Sequence, residues 1–176
     1  DRICAALPSG ASFQPLMTLY LTDGTDPAEI DRVAESGFIA GVKCYPAGAT
    51  THSDAGVTSF ARCEAAIARM EERNVVLLLH GEAIGEDVDP YDRESVFIDR
   101  ELVPLVKRHP RLRVVLEHVT TQAGVEFVRS AGAHVAATIT PQHLLYNRGA
   151  MFRGGLRQHL YCLPILKRER DRESLV

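Results

Sequence analysis

The chain has 176 residues and a mass of 19.4 kDa, the size of one ordinary domain that can bury a core without disulfides or metal. Its 20 basic and 23 acidic residues leave a net charge of −3, which excludes a generally basic, nucleic-acid-coating protein. No apolar run approaches the roughly 20 residues that cross a bilayer. Cys4, Cys44, Cys63 and Cys162 stand far apart with no C-x-x-C pair; they read as free thiols of a reducing compartment, the cytoplasm. The sequence begins at Asp1 rather than Met and ends at Val176 inside a helical pattern, as expected of a segment of a longer protein.

Short apolar runs alternate with amphipathic stretches. Leu16 to Leu21 reads as a buried strand. Thr25-Asp26-Pro27-Ala28-Glu29 then starts a helix: Asp26 can cap it, Pro27 suits its first position and Glu29 completes a capping box. Ile30, Val33 and Ala34 line one face, and Gly37 is placed to stop it. Phe38 to Tyr45 is a second strand, followed by a Pro/Gly/Ser/Thr loop from Pro46 to Gly56. Phe60, Cys63, Ile67 and Met70 fall at helical spacing within Thr58 to Arg73. Val75 to His80 is a third strand. A loop with five acidic residues (Glu82, Glu86, Asp87, Asp89, Asp92) reads as solvated surface and leads to a helix from Glu94 to His109 that Pro104 should kink. Leu112 to His118 is the fourth strand, Thr121 to Ser130 a short helix and His134 to Thr140 the fifth strand. Asn147 to Gly155 reads as loop, and Pro164 to Val176 as a helix with Pro at its start.

This β-α alternation, with strands apolar on both faces, implies a parallel sheet covered by helices. An open doubly wound sheet and a (β/α)8 barrel both satisfy it. Neither G-x-G-x-x-G nor G-x-x-x-x-G-K-[ST] follows the first strand, so the nucleotide-binding open sheet lacks its signature. Length favours the open sheet; the polar residues favour the barrel.

Three strands end in chemistry-bearing residues. Lys43 lies near the end of the second, His80 ends the third and His118 the fourth, at separations of 37 and 38 residues, one βα unit each. In parallel, successive strands all three would emerge at the carboxyl end of the sheet, where α/β active sites form. The chain holds three lysines (Lys43, Lys107, Lys167) against seventeen arginines, so a lysine at a strand end is a specific choice. Neutral imidazoles bind zinc and its neighbours. A lysine becomes a ligand if its amine adds carbon dioxide, giving a carbamate whose two oxygens can bridge two cations. The rival chemistry is a Schiff base on Lys43, which leaves both histidines without a task.

The blocks that carry these residues resemble dihydroorotase of the shorter, bacterial-type class. They are Lys43-Cys44-Tyr45-Pro46-Ala47-Gly48-Ala49-Thr50-Thr51, Leu79-His80-Gly81-Glu82, Glu117-His118-Val119-Thr120-Thr121, Ala136 to Leu144 and Tyr161 to Arg168. The likeness runs over essentially the whole chain. It implies an amidohydrolase-type (β/α)8 barrel, with about five of its eight βα units here. Residues 1–176 would be the central part of a single barrel domain, the first strand or strands and the last strand lying outside them. It further implies reversible interconversion of N-carbamoyl-L-aspartate and L-dihydroorotate in pyrimidine biosynthesis, with two zinc ions per complete chain bridged by carbamylated Lys43. His80 and His118 would hold the second metal, with His80 also beside the substrate. Thr50 and Thr51 would sit on a mobile loop that closes over the substrate, and the Leu163 backbone would contact the pyrimidine ring. A homodimer is implied, with no nucleic-acid or membrane partner.

The family's His-x-His pair, with its neighbouring Arg and Asn, does not occur in this sequence. The metal-ligating, proton-shuttling aspartate would lie beyond Val176, so no catalytic residue is assigned within the chain and the isolated segment is expected to be inactive. A Schiff-base lyase built on Lys43 and a non-catalytic homologue with an assembly role are the alternatives. Strand alternation should turn Glu117 away from His118. Glu82 could support a ligand. His52, His109, His134, His143 and His159 receive no ligand role, His109 and His134 being read as surface or strand-start residues.

Overall fold

A computed structural model describes residues 2–176. Five parallel strands form one sheet: β1 Met17–Tyr20, β2 Ile39–Cys44, β3 Leu77–His80, β4 Val114–Glu117 and β5 Val135–Ala137. Their spatial order is β1-β2-β3-β4-β5, strictly sequential. A doubly wound sheet reverses strand order at a switch point; a barrel adds each strand beside the last. The topology therefore follows the barrel pattern rather than the open sheet that length favoured.

Helices follow the strands: α1 Arg2–Ala5 precedes the sheet, then come α2 Pro27–Glu35, α3 Glu64–Glu72, α4 Arg93–Phe97, α5 Val103–Arg108, α6 Gln122–Ser130, α7 Pro141–Leu145 and α8 Glu169–Leu175. The core lies between one face of the sheet and the helices. Val42, Cys44, Leu77, Leu79, Val114 and Leu116 pack there against Ile30, Ile67, Met70, Leu102 and Leu105, each exposed by 1% or less. Lys43, Leu78, His80 and Val115 alternate with these residues and so occupy the opposite face.

Local chemistry explains most boundaries. Asp26 Oδ1 accepts the Ala28 N–H at 2.8 Å, and Gly37 leaves α2 at φ +70°, a left-handed conformation that glycine adopts freely. Glu29 does not close the expected capping box; its side chain instead accepts from Arg32 at 2.7 Å. The helix expected from Thr58 is shorter, because α3 begins at Glu64. Phe60 and Cys63 are buried, but on turns closed by Arg62 N–H to Ser59 O and Cys63 N–H to Phe60 O. Pro104 does not break its helix. A π-helical segment, Ile98–Leu102, joins α4 to α5, and its wider turn comes just before the residue that cannot donate. The last helix starts at Glu169 rather than Pro164, and Pro164 to Lys167 are buried. Asn147 to Gly155, read as loop, contains a 3-10 turn, Arg148–Phe152.

Candidate metal centre

Three neighbouring strands bring the candidate groups to one rim. Lys43 on β2 pairs in register with Leu78, and His80 on β3 with Glu117. The Tyr45 ring lies 4.6 Å from Lys43 Nζ and 5.8 Å from the His80 ring. His118 stands 4.8 Å from His80, ring centre to ring centre, at an interplanar angle of 70°. The two imidazoles are thus in contact, and Tyr45 lies between the amine and His80.

The backbone at His118 makes this possible. Thr138 donates its N–H to Leu116 O and accepts the Val119 N–H at its own carbonyl, so Glu117 and His118 span the gap between two ladder bonds. His118 takes φ +44°, a left-handed conformation that is costly for a non-glycine residue. The Thr138 hydroxyl accepts its N–H at 2.8 Å. Strict alternation ends there. Contrary to the sequence expectation, Glu117 does not turn away from the site; its carboxylate forms an ion pair with the Lys43 ammonium. A period-of-two argument cannot see a left-handed residue at the strand end.

Burial sets the charge on the second imidazole. His118 is pushed down to about 3, first by burial and then by His80 and Lys43 nearby, so it is neutral at physiological pH and offers lone pairs to a cation. Its Nδ1 is buried without a hydrogen-bond partner. His80 Nε2 lies 2.8 Å from Glu82 Oε2, both side chains being almost fully buried. Donation from Nε2 to that carboxylate, which as an anion can only accept, would leave Nδ1 as the nitrogen open to coordination. These features fit a cation. Among the described residues no group of three or more His, Cys, Asp or Glu side chains is arranged to hold one.

The other candidates lie elsewhere. Thr50 donates its N–H to Ser53 Oγ at 3.0 Å and accepts from that hydroxyl at its carbonyl. The loop around it is tied by Ala47 N–H to Val57 O and Val57 N–H to Tyr45 O. Thr51 is exposed at its tip, and Leu163 is half-buried. Among the described residues no hydrogen bond joins Thr50, Thr51 or Leu163 to the two imidazoles. His143 is buried with both nitrogens engaged, by Thr140 Oγ1 and by Pro164 O, and burial lowers its proton affinity. Two expectations need correction. Glu82 is not solvated but wholly buried, because it turns in under His80. His109 is not a surface residue but buried, lying 2.8 Å from Glu64. The sequence also gave Lys167 no role, yet its side chain is 1% exposed. The scarcity of lysine that drew attention to Lys43 applied equally to Lys167.

Consecutive parallel βα units with an amine and two imidazoles at the carboxyl rim define one part of an amidohydrolase-type barrel. No family model matches the chain. Curated relatives do: the dihydroorotase of Alkalilimnicola ehrlichii is 62% identical over 176 residues, all of this chain and 51% of that protein. Among solved structures, dihydroorotase from Campylobacter jejuni superposes with a TM-score of 0.85 at 36% identity, covering 95% of this chain and 48% of that one. The Saccharomyces cerevisiae dihydroorotase in complex with 5-fluoroorotic acid gives a TM-score of 0.80 at 31% identity, covering 91% and 47%. Over its whole length the chain is similar to dihydroorotases, and it spans about half the length of the curated relatives it matches. Its five βα units are a partial (β/α)8 barrel.

Proposed function

We propose that the chain is the central part of a single barrel domain of a zinc-dependent cyclic amide hydrolase, with the strands before β1 and after β5 supplied by flanking sequence. The reaction is the interconversion of N-carbamoyl-L-aspartate and L-dihydroorotate in pyrimidine biosynthesis. The observation that carries the reading is the meeting of Lys43, His80 and His118 at one rim in a chain whose curated relatives are named dihydroorotase.

In this reading His118, His80 through Nδ1, and Lys43 as its carbamate would hold zinc. Bound zinc supplies polarisation of a carbonyl and activation of water at neutral pH. Carbamylation turns Lys43 from cation to anion, so its pairing with Glu117 belongs to the unmodified lysine and must give way. Thr50 and Thr51 are assigned to a substrate-covering loop, and Leu163 and His80 to contacts with the ring. The first-metal His-x-His and the proton-shuttling aspartate come from the flanking parts. No helix among the described residues is long and apolar enough to cross a membrane; the working state is taken as a cytoplasmic homodimer.

The test is a chimera in which this chain replaces the corresponding half of the Alkalilimnicola ehrlichii enzyme. It should hydrolyse L-dihydroorotate, and Lys43→Ala or His118→Asn should each lower kcat at least about a hundredfold. A folded but inactive chimera, or borohydride trapping of a carbonyl substrate on Lys43, would overturn the reading in favour of an assembly protein or a lyase.

A further inference from the structure

Behind His80 lies a buried pair of opposite charges. Glu82 Oε2 lies 2.8 Å from His80 Nε2, within hydrogen-bond distance, while Glu82 Oε1 is buried and has no hydrogen-bond partner. Lys167 Nζ sits 3.9 Å from that Oε1, with the two side chains 1% and 0% exposed. The ammonium also donates to Ile165 O at 3.1 Å.

The neighbouring carboxylates are already supplied. Glu94 accepts from the backbone N–H and hydroxyl groups of both Thr120 and Thr121. Asp171 accepts the Gln122 and Arg168 N–H groups. Glu82 Oε1 is the carboxylate oxygen left for Lys167 to balance. A buried carboxylate without a counter-charge would be strongly disfavoured, and a protonated one would not hold the imidazole in a single tautomer.

We propose that Lys167 is a positioning residue. Through Glu82 it fixes His80 as the Nε2–H tautomer, with Nδ1 turned toward the rim, so that the segment before α8 presets a ligand on β3. The inference rests on the metal-centre reading only for the purpose of that nitrogen; the tautomer itself is a property of the metal-free chain.

Nitrogen-15 histidine NMR of the metal-free chimera, in which the Alkalilimnicola ehrlichii flanks complete the barrel, tests it directly. His80 should give one tautomer, protonated at Nε2. In the double variant Glu82→Gln/Lys167→Met, which removes both charges together, His80 should show mixed tautomers while circular dichroism stays unchanged. Zinc affinity measured by titration with zinc alone should weaken roughly tenfold to a hundredfold, and Lys167→Arg should retain the single tautomer. An Nδ1–H tautomer in the unaltered chain, which needs no variant to fold, would overturn the proposal, as would an unaltered tautomer in the double variant. A single Nε2–H tautomer that depends on Lys167 in a folded chimera that binds no zinc would leave this inference standing and remove the metal-centre reading instead.

Discussion

His118 holds two unfavourable features at once: a left-handed backbone at φ +44° and a half-buried ring whose proton affinity is pushed down to about 3. Its folded-state value lies below the ordinary value of 6.5, so the unfolded chain binds the proton more readily. The stability this difference contributes is fully present above about pH 6.5 and is lost as pH falls toward about 3. One such group accounts for at most about 1.4 kcal/mol per pH unit. His118→Asn removes the titration and tolerates the left-handed backbone. Urea unfolding between pH 7 and 4 should therefore show a shallower loss of stability in the variant than in the parent. Equal slopes would mean that the ring is solvated in the folded chain. The same backbone marks the limit of reading residues from pattern. Lys43, His80 and His118 were legible because each ends an apolar run, one βα unit apart. Glu117, Glu82 and Lys167 were not, because the left-handed residue after Glu117, the inward turn after His80 and a long-range packing are encoded in no local spacing.

At the level of elements, the sequence predicts well where a side chain acts on its own backbone and poorly where distant contacts decide. The Asp26 cap is the first kind. Asp26→Ala should lower stability by about 1 kcal/mol, read as a shift of the urea midpoint at constant slope. Glu94 is the second kind. It reaches from α4 to the turn between β4 and α6 and accepts hydrogen bonds from four donor groups of Thr120 and Thr121. Burial raises its proton affinity and those donors oppose the rise. It is therefore an anchor of the segment that directly follows His118. Glu94→Ala leaves those donors buried and unmatched, and should cost about 3 kcal/mol or more. Amide exchange at Thr120 and Thr121 should rise further than at β2, since the loss is local to the turn. Similar logic explains the two shortened helices: Phe60 and Ile165 are core residues at helical spacing, but turns and extended backbone bury them equally well.

On the scale of the molecule, the sheet is covered by helices on one face and ends at two strands that each pair on one side only. Ala136 and Ala137 on β5 are exposed, as are Phe13, Leu16 and Phe38 around the start of β1. A second exposed apolar set, Leu145, Phe152, Leu156 and Tyr161, lies between α7 and α8. Unpaired strand edges together with apolar surface favour pairing with another chain, and the partial-barrel topology indicates which partner would satisfy them: more barrel. The isolated chain should therefore associate as its concentration rises, seen as a growing weight-average mass in sedimentation velocity. Joined to the flanking parts of the Alkalilimnicola ehrlichii protein, the same 176 residues should give a species whose mass is independent of concentration over that range. If the isolated chain instead stays a monodisperse monomer, its edges and apolar sets are tolerated by water as they stand, and neither β1 nor β5 requires a neighbouring strand to keep the chain in solution.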